Sequence, residues 1–100
     1  MSVHGISAVR LDDRSGHVVR VRWARLNGTS DHYQGDAHDA DVVDVVKAIE
    51  HGETVFLVFR AEGQNLRGPQ VIVENGRAGH KHLATAATVA RRGIRDLPRF

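Results

Sequence analysis

Apolar and polar residues alternate over residues 6–11 and again over 18–26, the period of two expected of strands that bury one face. Between them, Asp12-Asp13-Arg14-Ser15-Gly16 is a run of turn formers, so the two segments read as a hairpin with a five-residue connection. A polar stretch follows Asn27-Gly28 and reaches Ala40, with residues 31–34 able to add a short edge strand. The period then changes. Val42, Val45, Val46 and Ile49 fall on one face of a helix, Asp41 stands at its N-cap, Asp44 lies in its first turn near the positive end of the dipole, and Gly52 closes it. So short and Val-rich a helix has little intrinsic propensity and needs a sheet to pack on.

Residues 54–61 form the most hydrophobic strand, followed by a loop over 62–69 and a strand over 70–74. Asn75-Gly76 forces a turn, residues 80–85 return as a last strand, and residues 88–100 make a basic tail that Ile94, Leu97 and Phe100 can pin to the body. No repeat, linker or low-complexity segment interrupts the chain. The order ββαβββ predicts one α+β domain over residues 1–100, a mainly antiparallel sheet of four to six strands with one helix on one face.

Several short motifs resemble the small, mostly bacterial family numbered 3892 among domains of unknown function. They are Ile6-Ser7-Ala8-Val9-Arg10-Leu11, Arg22-Trp23, Val42-Val43-Asp44 with Ile49-Glu50 and Gly52, His82-Leu83-Ala84-Thr85, and Asp96-Leu97-Pro98-Arg99-Phe100. The resemblance spans nearly the whole chain and implies a single α+β domain. It implies no activity, cofactor or catalytic residue.

Composition narrows the class. At 100 residues, 41% hydrophobic and 26% charged, the chain has material for one modest core. Without cysteine it has no disulfide, thiolate nucleophile or cysteine zinc site, which favours a cytoplasmic location. The first residues run into a strand without the succession of a secretory signal, and the longest apolar run, residues 55–59, is far too short for a bilayer, so no membrane partner is expected. No motif calls for a cofactor.

The net charge of +2 conceals a partition. Residues 1–30 hold five Arg and two Asp, residues 31–53 seven acids and one Lys, and residues 54–100 seven Arg, one Lys and three acids. A basic, acidic, basic layout can steer partners of either sign.

Strand parity assigns Val9, Leu11, Val19, Val21, Trp23, Val55, Leu57 and Phe59 to the helix side. It leaves Ile6, Ala8, Arg10, Val18, Arg20, Arg22, Phe56, Val58 and Arg60 on a second face with no helix to cover it. Within that set, Arg10, Arg20, Arg22, Phe56 and Arg60 are candidate binding residues, for self-association as a homodimer or, less well supported by a single aromatic, for nucleic acid. The plainer alternative is a face whose Arg stems shield aliphatic neighbours. Arg91, Arg92, Arg95 and Arg99 form the densest basic cluster, suited to phosphates or simply to a solvated surface.

Histidine is unusually frequent, at seven residues. His80 and His82, at i and i+2 of a strand, are the candidate metal ligands, and His32, Asp36, His38 and Asp39 offer a mixed set in a loop. Any buried His should make stability or association weaken in acid. Enzymatic chemistry finds little footing, so a non-enzymatic interaction module is the expectation. Ser30-Asp31-His32 has the residue types of a triad, but consecutive side chains point apart. Residues 63–68 lack the Lys-Ser/Thr ending of a phosphate loop, and Asp12-Asp13 sit in a turn where solvated acids are the default.

Overall fold

Alternation in the first two segments produces the hairpin, and the rest of the sheet grows from it. The computed structural model describes residues 3–26, 33–76, 79–87 and 92–100. In chain order they form β1 (Val3–Leu11), β2 (Val18–Arg25), β3 (His38–Asp41), α1 (Val42–Glu50), β4 (Thr54–Ala61), β5 (Gln64–Asn75) and β6 (Lys81–Thr85), followed by a 3-10 turn, Ile94–Asp96. The α+β class expected from the pattern is the one observed, with one helix and a six-stranded sheet. The order gains a strand before the helix. It lies at His38–Asp41, whereas the segment proposed for an edge strand falls at 31–34, of which residues 31–32 lie outside the described residues and Tyr33 makes only an isolated bridge with Leu26.

The sheet runs β3-β2-β1-β4-β5-β6, and every neighbouring pair is antiparallel except the central one. There β1 and β4 run parallel from Val3↔Thr54 to Ile6↔Leu57, a pairing made possible because α1 lies in the connection between β3 and β4. β5 is longer than expected. The chain turns back at Glu62-Gly63, both with positive φ (52° and 78°), so Ala61 pairs with Gln64 and the predicted loop becomes strand. Near Gly68-Pro69 the register shifts, and β5 leaves β4 after Gln70 to pair with β6 over Val71–Asn75. Pro cannot continue the ladder, and Gly68 lets the backbone approach the Phe59 ring, which an added Cβ would meet at 2.9 Å.

Two irregularities in the hairpin revise the parity of the side chains. Ile6 faces Trp23 but Ala8 faces Arg22, so Ser7 is an extra residue and Ile6 turns inward to the helix side. Leu11 likewise pairs with Val18, which packs on the core, while Val19 is displaced outward and is 41% exposed. The expected assignments of Ile6, Val18 and Val19 are therefore reversed; those of Val9, Val21, Trp23, Val55 and Leu57 stand.

Val45 and Val46 of α1 close the core, with Val42 and Ile49 packed beside them. Asp41 occupies the N-cap position but makes no capping hydrogen bond; its carboxylate accepts from Arg20 instead. Among the described residues no helix is long and apolar enough to cross a membrane.

The tail does more than rest on the surface. Leu97 is buried to 2% in the core, Val9 N–H donates to the Pro98 carbonyl at 2.9 Å, and Phe100 N–H donates to the Val9 carbonyl at 3.2 Å. Residues 98–100 thus serve as a short parallel strand on the edge of β1 that β4 leaves after Ile6.

Candidate interaction face

The face turned away from α1 is not bare. Ala8, Ala24, Leu26 and Val58 are all buried there, around Gly5, whose missing Cβ would lie 2.5 Å from a Val58 methyl. This second apolar cluster seals the end where β1 and β4 pair. Toward the other end of β1 the face becomes charged.

Antiparallel register builds that charged part. β2 sets Arg20 opposite Asp41 and Arg22 opposite Asp39 of the edge strand, while Arg10 of β1 lies opposite Arg20. Arg20 Nη1 donates to Asp41 at 2.7 Å and Arg22 Nε to Asp39 at 2.9 Å. The Arg22 hydrogen bond holds the Asp39 carboxyl below the usual carboxylate range. Arg10 and Arg20, like charges directly opposed, would repel. Phe100 answers the third arginine. Its carbonyl accepts from Arg10 Nε at 3.0 Å, and its ring lies 5.1 Å from the Arg10 guanidinium and 4.4 Å from that of Arg22. Acidic, basic and aromatic groups thus follow one another across β3, β2, β1 and the tail.

Exposed pairs of this kind add little stability, on the order of 0–1 kcal/mol each. Their significance lies in what they present: charged groups held at fixed spacing on a rigid sheet, next to an edge strand. Charges on β3 also discourage edge-to-edge strand pairing.

The remaining candidates separate from this cluster. Phe56 lies under the Arg67 guanidinium at 4.7 Å and belongs to the β4–β5 side. Arg60 is exposed on β4, across the tail from Arg10. The expected continuous face of Arg10, Arg20, Arg22, Phe56 and Arg60 is therefore interrupted by the tail and the apolar cluster. The tail cations do not form one comb either. Arg91 lies outside the described residues; Arg92 sits over the Phe59 ring at 5.3 Å; Arg99 Nη1 donates to the carbonyls of Arg95 and Leu97 at 2.6 and 2.7 Å; and Arg95 lines a separate recess with His17 and His82.

β6 begins at Lys81, so His80 precedes the strand on which it was expected to share a side with His82. His82 Nε2 lies 3.3 Å from a Glu74 oxygen. Among the described residues no three His, Asp or Glu side chains converge on a possible metal position. Ser30, Asp31 and His32 lie outside the described residues.

Sequence reasoning placed Asp39 in a mixed metal set and Asp41 at the helix cap, and missed both their pairing with the arginines of β2 and the stacking role of Phe100. The signal was present as Asp-x-Asp and Arg-x-Arg, which become neighbours once β3 is placed beside β2. It also missed the His4 and Trp23 rings, whose centroids are 4.6 Å apart. Comparison with protein-family models, curated proteins and solved structures finds no match.

Proposed function

We propose that this chain is a non-enzymatic interaction module that associates with a second copy of itself through the face made by Arg10, Arg20, Arg22, Asp39, Asp41 and Phe100. The supporting observation is the order of charge across that face, acidic on β3 and basic on β2 and β1, which makes the surface self-complementary under a two-fold rotation. Arg10 makes no ion pair within the chain among the described residues, and each of Asp39 and Asp41 has only one oxygen engaged by its arginine. A two-fold axis through β2 sets the acidic row of one copy against Arg10 of the other. Nucleic acid is the less favoured partner, because Asp39 and Asp41 neutralise two of the three arginines a phosphate would meet. A cysteine-free module of this kind suits the cytoplasm.

Sedimentation equilibrium at roughly 10 μM to 1 mM protein, in low and in high salt, tests the reading. The expected result is a monomer–dimer equilibrium that weakens with salt and is abolished by Arg10→Glu, whose exposed side chain leaves the fold intact. A monomer at every concentration, or a dimer indifferent to Arg10→Glu, overturns it.

A further inference from the structure

The sheet contains a gap. β1 and β4 pair only as far as Ile6↔Leu57; Ser7 then bulges, and the tail takes the edge of β1 from Val9 onward. Beyond Leu57, no strand pairs with the β1 side of β4 among the described residues. The gap opens as a cleft of about 440 Å³, within the range of small-molecule sites, and β4, the Ser7 bulge, Tyr33 and the tail form its walls.

Its chemistry is mixed in a particular way. Arg60 contributes a guanidinium with no ion-pair partner among the described residues, although the Asp96 carboxylate lines the same cleft. Tyr33 lines the cleft, with its Oη closed to solvent beside the Ser7 hydroxyl. Burial raises the Tyr33 pKa, the hydrogen bond with the Ser7 hydroxyl opposing it, so the phenol keeps its proton. Asp96 Oδ2 accepts from Gly93 N–H at 2.8 Å, which fixes the carboxylate in place. Val58, Phe59 and Pro98 supply the apolar part of the lining.

We infer that the cleft between β4 and the tail binds an apolar α-amino acid through its carboxylate, either as the free amino acid or as the last residue of a peptide. Arg60 takes the carboxylate through its charged, exposed guanidinium. The apolar side chain lies against Val58 and Pro98. Asp96 receives the α-ammonium of a free amino acid. The unpaired edge of β4 receives the amide of a peptide, as an exposed strand edge receives an extended chain.

The test is a titration of the ¹⁵N-labelled full chain with L-leucine, N-acetyl-L-leucine and L-leucinamide, followed by amide shifts. Saturable shifts confined to residues 7, 33, 58–60 and 96–97 are expected with the first two, and none with leucinamide, which lacks the carboxylate. Tighter binding of leucine identifies the free amino acid; tighter binding of the acetylated form identifies a peptide terminus. Arg60→Gln weakens either by about tenfold or more, with the remaining spectrum unchanged. Linear, unsaturated shifts, equal binding of leucinamide, or an Arg60→Gln variant that binds normally each overturns the assignment.

Discussion

The two halves of β1 are held in different ways. Val3 to Ile6 lies between two full strands, with β2 on one side and β4 on the other, and His4, Gly5 and Ile6 are each paired with both. Ala8 to Leu11 has β2 on one side, but on the other only residues 98–100, joined through Val9. The first half is enclosed on both faces, by the main core inside and the Gly5, Leu26 and Val58 cluster outside. The second half has the core on one face and charged groups with a single aromatic ring on the other. Buried contacts are concentrated in the first half, whereas exposed charged groups are presented by the second. A scaffold with a rigid half and an adaptable half is the common arrangement for binding proteins.

The sharpest way to test this contrast is to cut the same side chain from each seam. Leu57 on β4 and Leu97 in the tail are both buried, to 0% and 2%. Leu57→Ala leaves a cavity surrounded by strands that cannot collapse, and is expected to cost about 4 kcal/mol in urea unfolding. Leu97→Ala is expected to cost less, about 2–3 kcal/mol, because a tail attached by few hydrogen bonds can relax into the space. Equal losses would show that the tail is as firmly built in as β4.

Phe100→Ala acts on the second half alone. It removes the ring beneath Arg10 and Arg22 but leaves the Val9 hydrogen bonds, which come from main-chain atoms. The expected loss is about 1 kcal/mol in unfolding, read together with faster hydrogen exchange at Val9 and Phe100 and unchanged exchange at residues 3–6. Faster exchange across the whole of β1 would mean that the halves are not separable.

Much of this was legible in the chain, for identifiable reasons. The hairpin, the helix and β4 have strong periodicity, and Val9, Val21, Trp23, Val55 and Leu57 were assigned to the helix side by alternation alone. What failed was the assumption of unbroken alternation. Ser7 and Val19 each add a residue to one strand without a mark in the sequence, and each addition flips the side chains near it. Glu62-Gly63 turns the chain as tightly as the better known Asn-Gly would, so the first part of β5, residues 64–69, reads as loop in the sequence. The arginine face was recognised, but its acidic half was not, because Asp39 and Asp41 stand in a stretch too polar to announce a strand. Phe100 was expected to pin the tail, and it does; that it would do so by lying under two arginines depends on the register of the tail on β1, which no local pattern encodes.

The smallest effect concerns the first half of β1, and pH reveals it. His4 stacks on Trp23, and neither His4 Nδ1 nor Trp23 Nε1 has a hydrogen-bond partner among the described residues. Burial lowers the His4 pKa below its ordinary 6.5; Glu53 opposes this, while Arg25 and His38 reinforce it. The folded chain therefore binds this proton less readily than the unfolded chain does. Well above pH 6.5 the imidazole is neutral in both states and contributes no pH dependence. As the pH falls below that value, the unfolded chain takes up the proton first and stability declines, until the folded pKa is passed and the loss levels off. Because the ring is only partly buried, the decline is modest. Urea midpoints measured between about pH 7 and pH 5 should fall in the wild type and fall less in His4→Phe, which keeps a ring against Trp23 but cannot titrate. Equal declines in both proteins would transfer the acid sensitivity to the other histidines and leave the first half of β1 indifferent to pH.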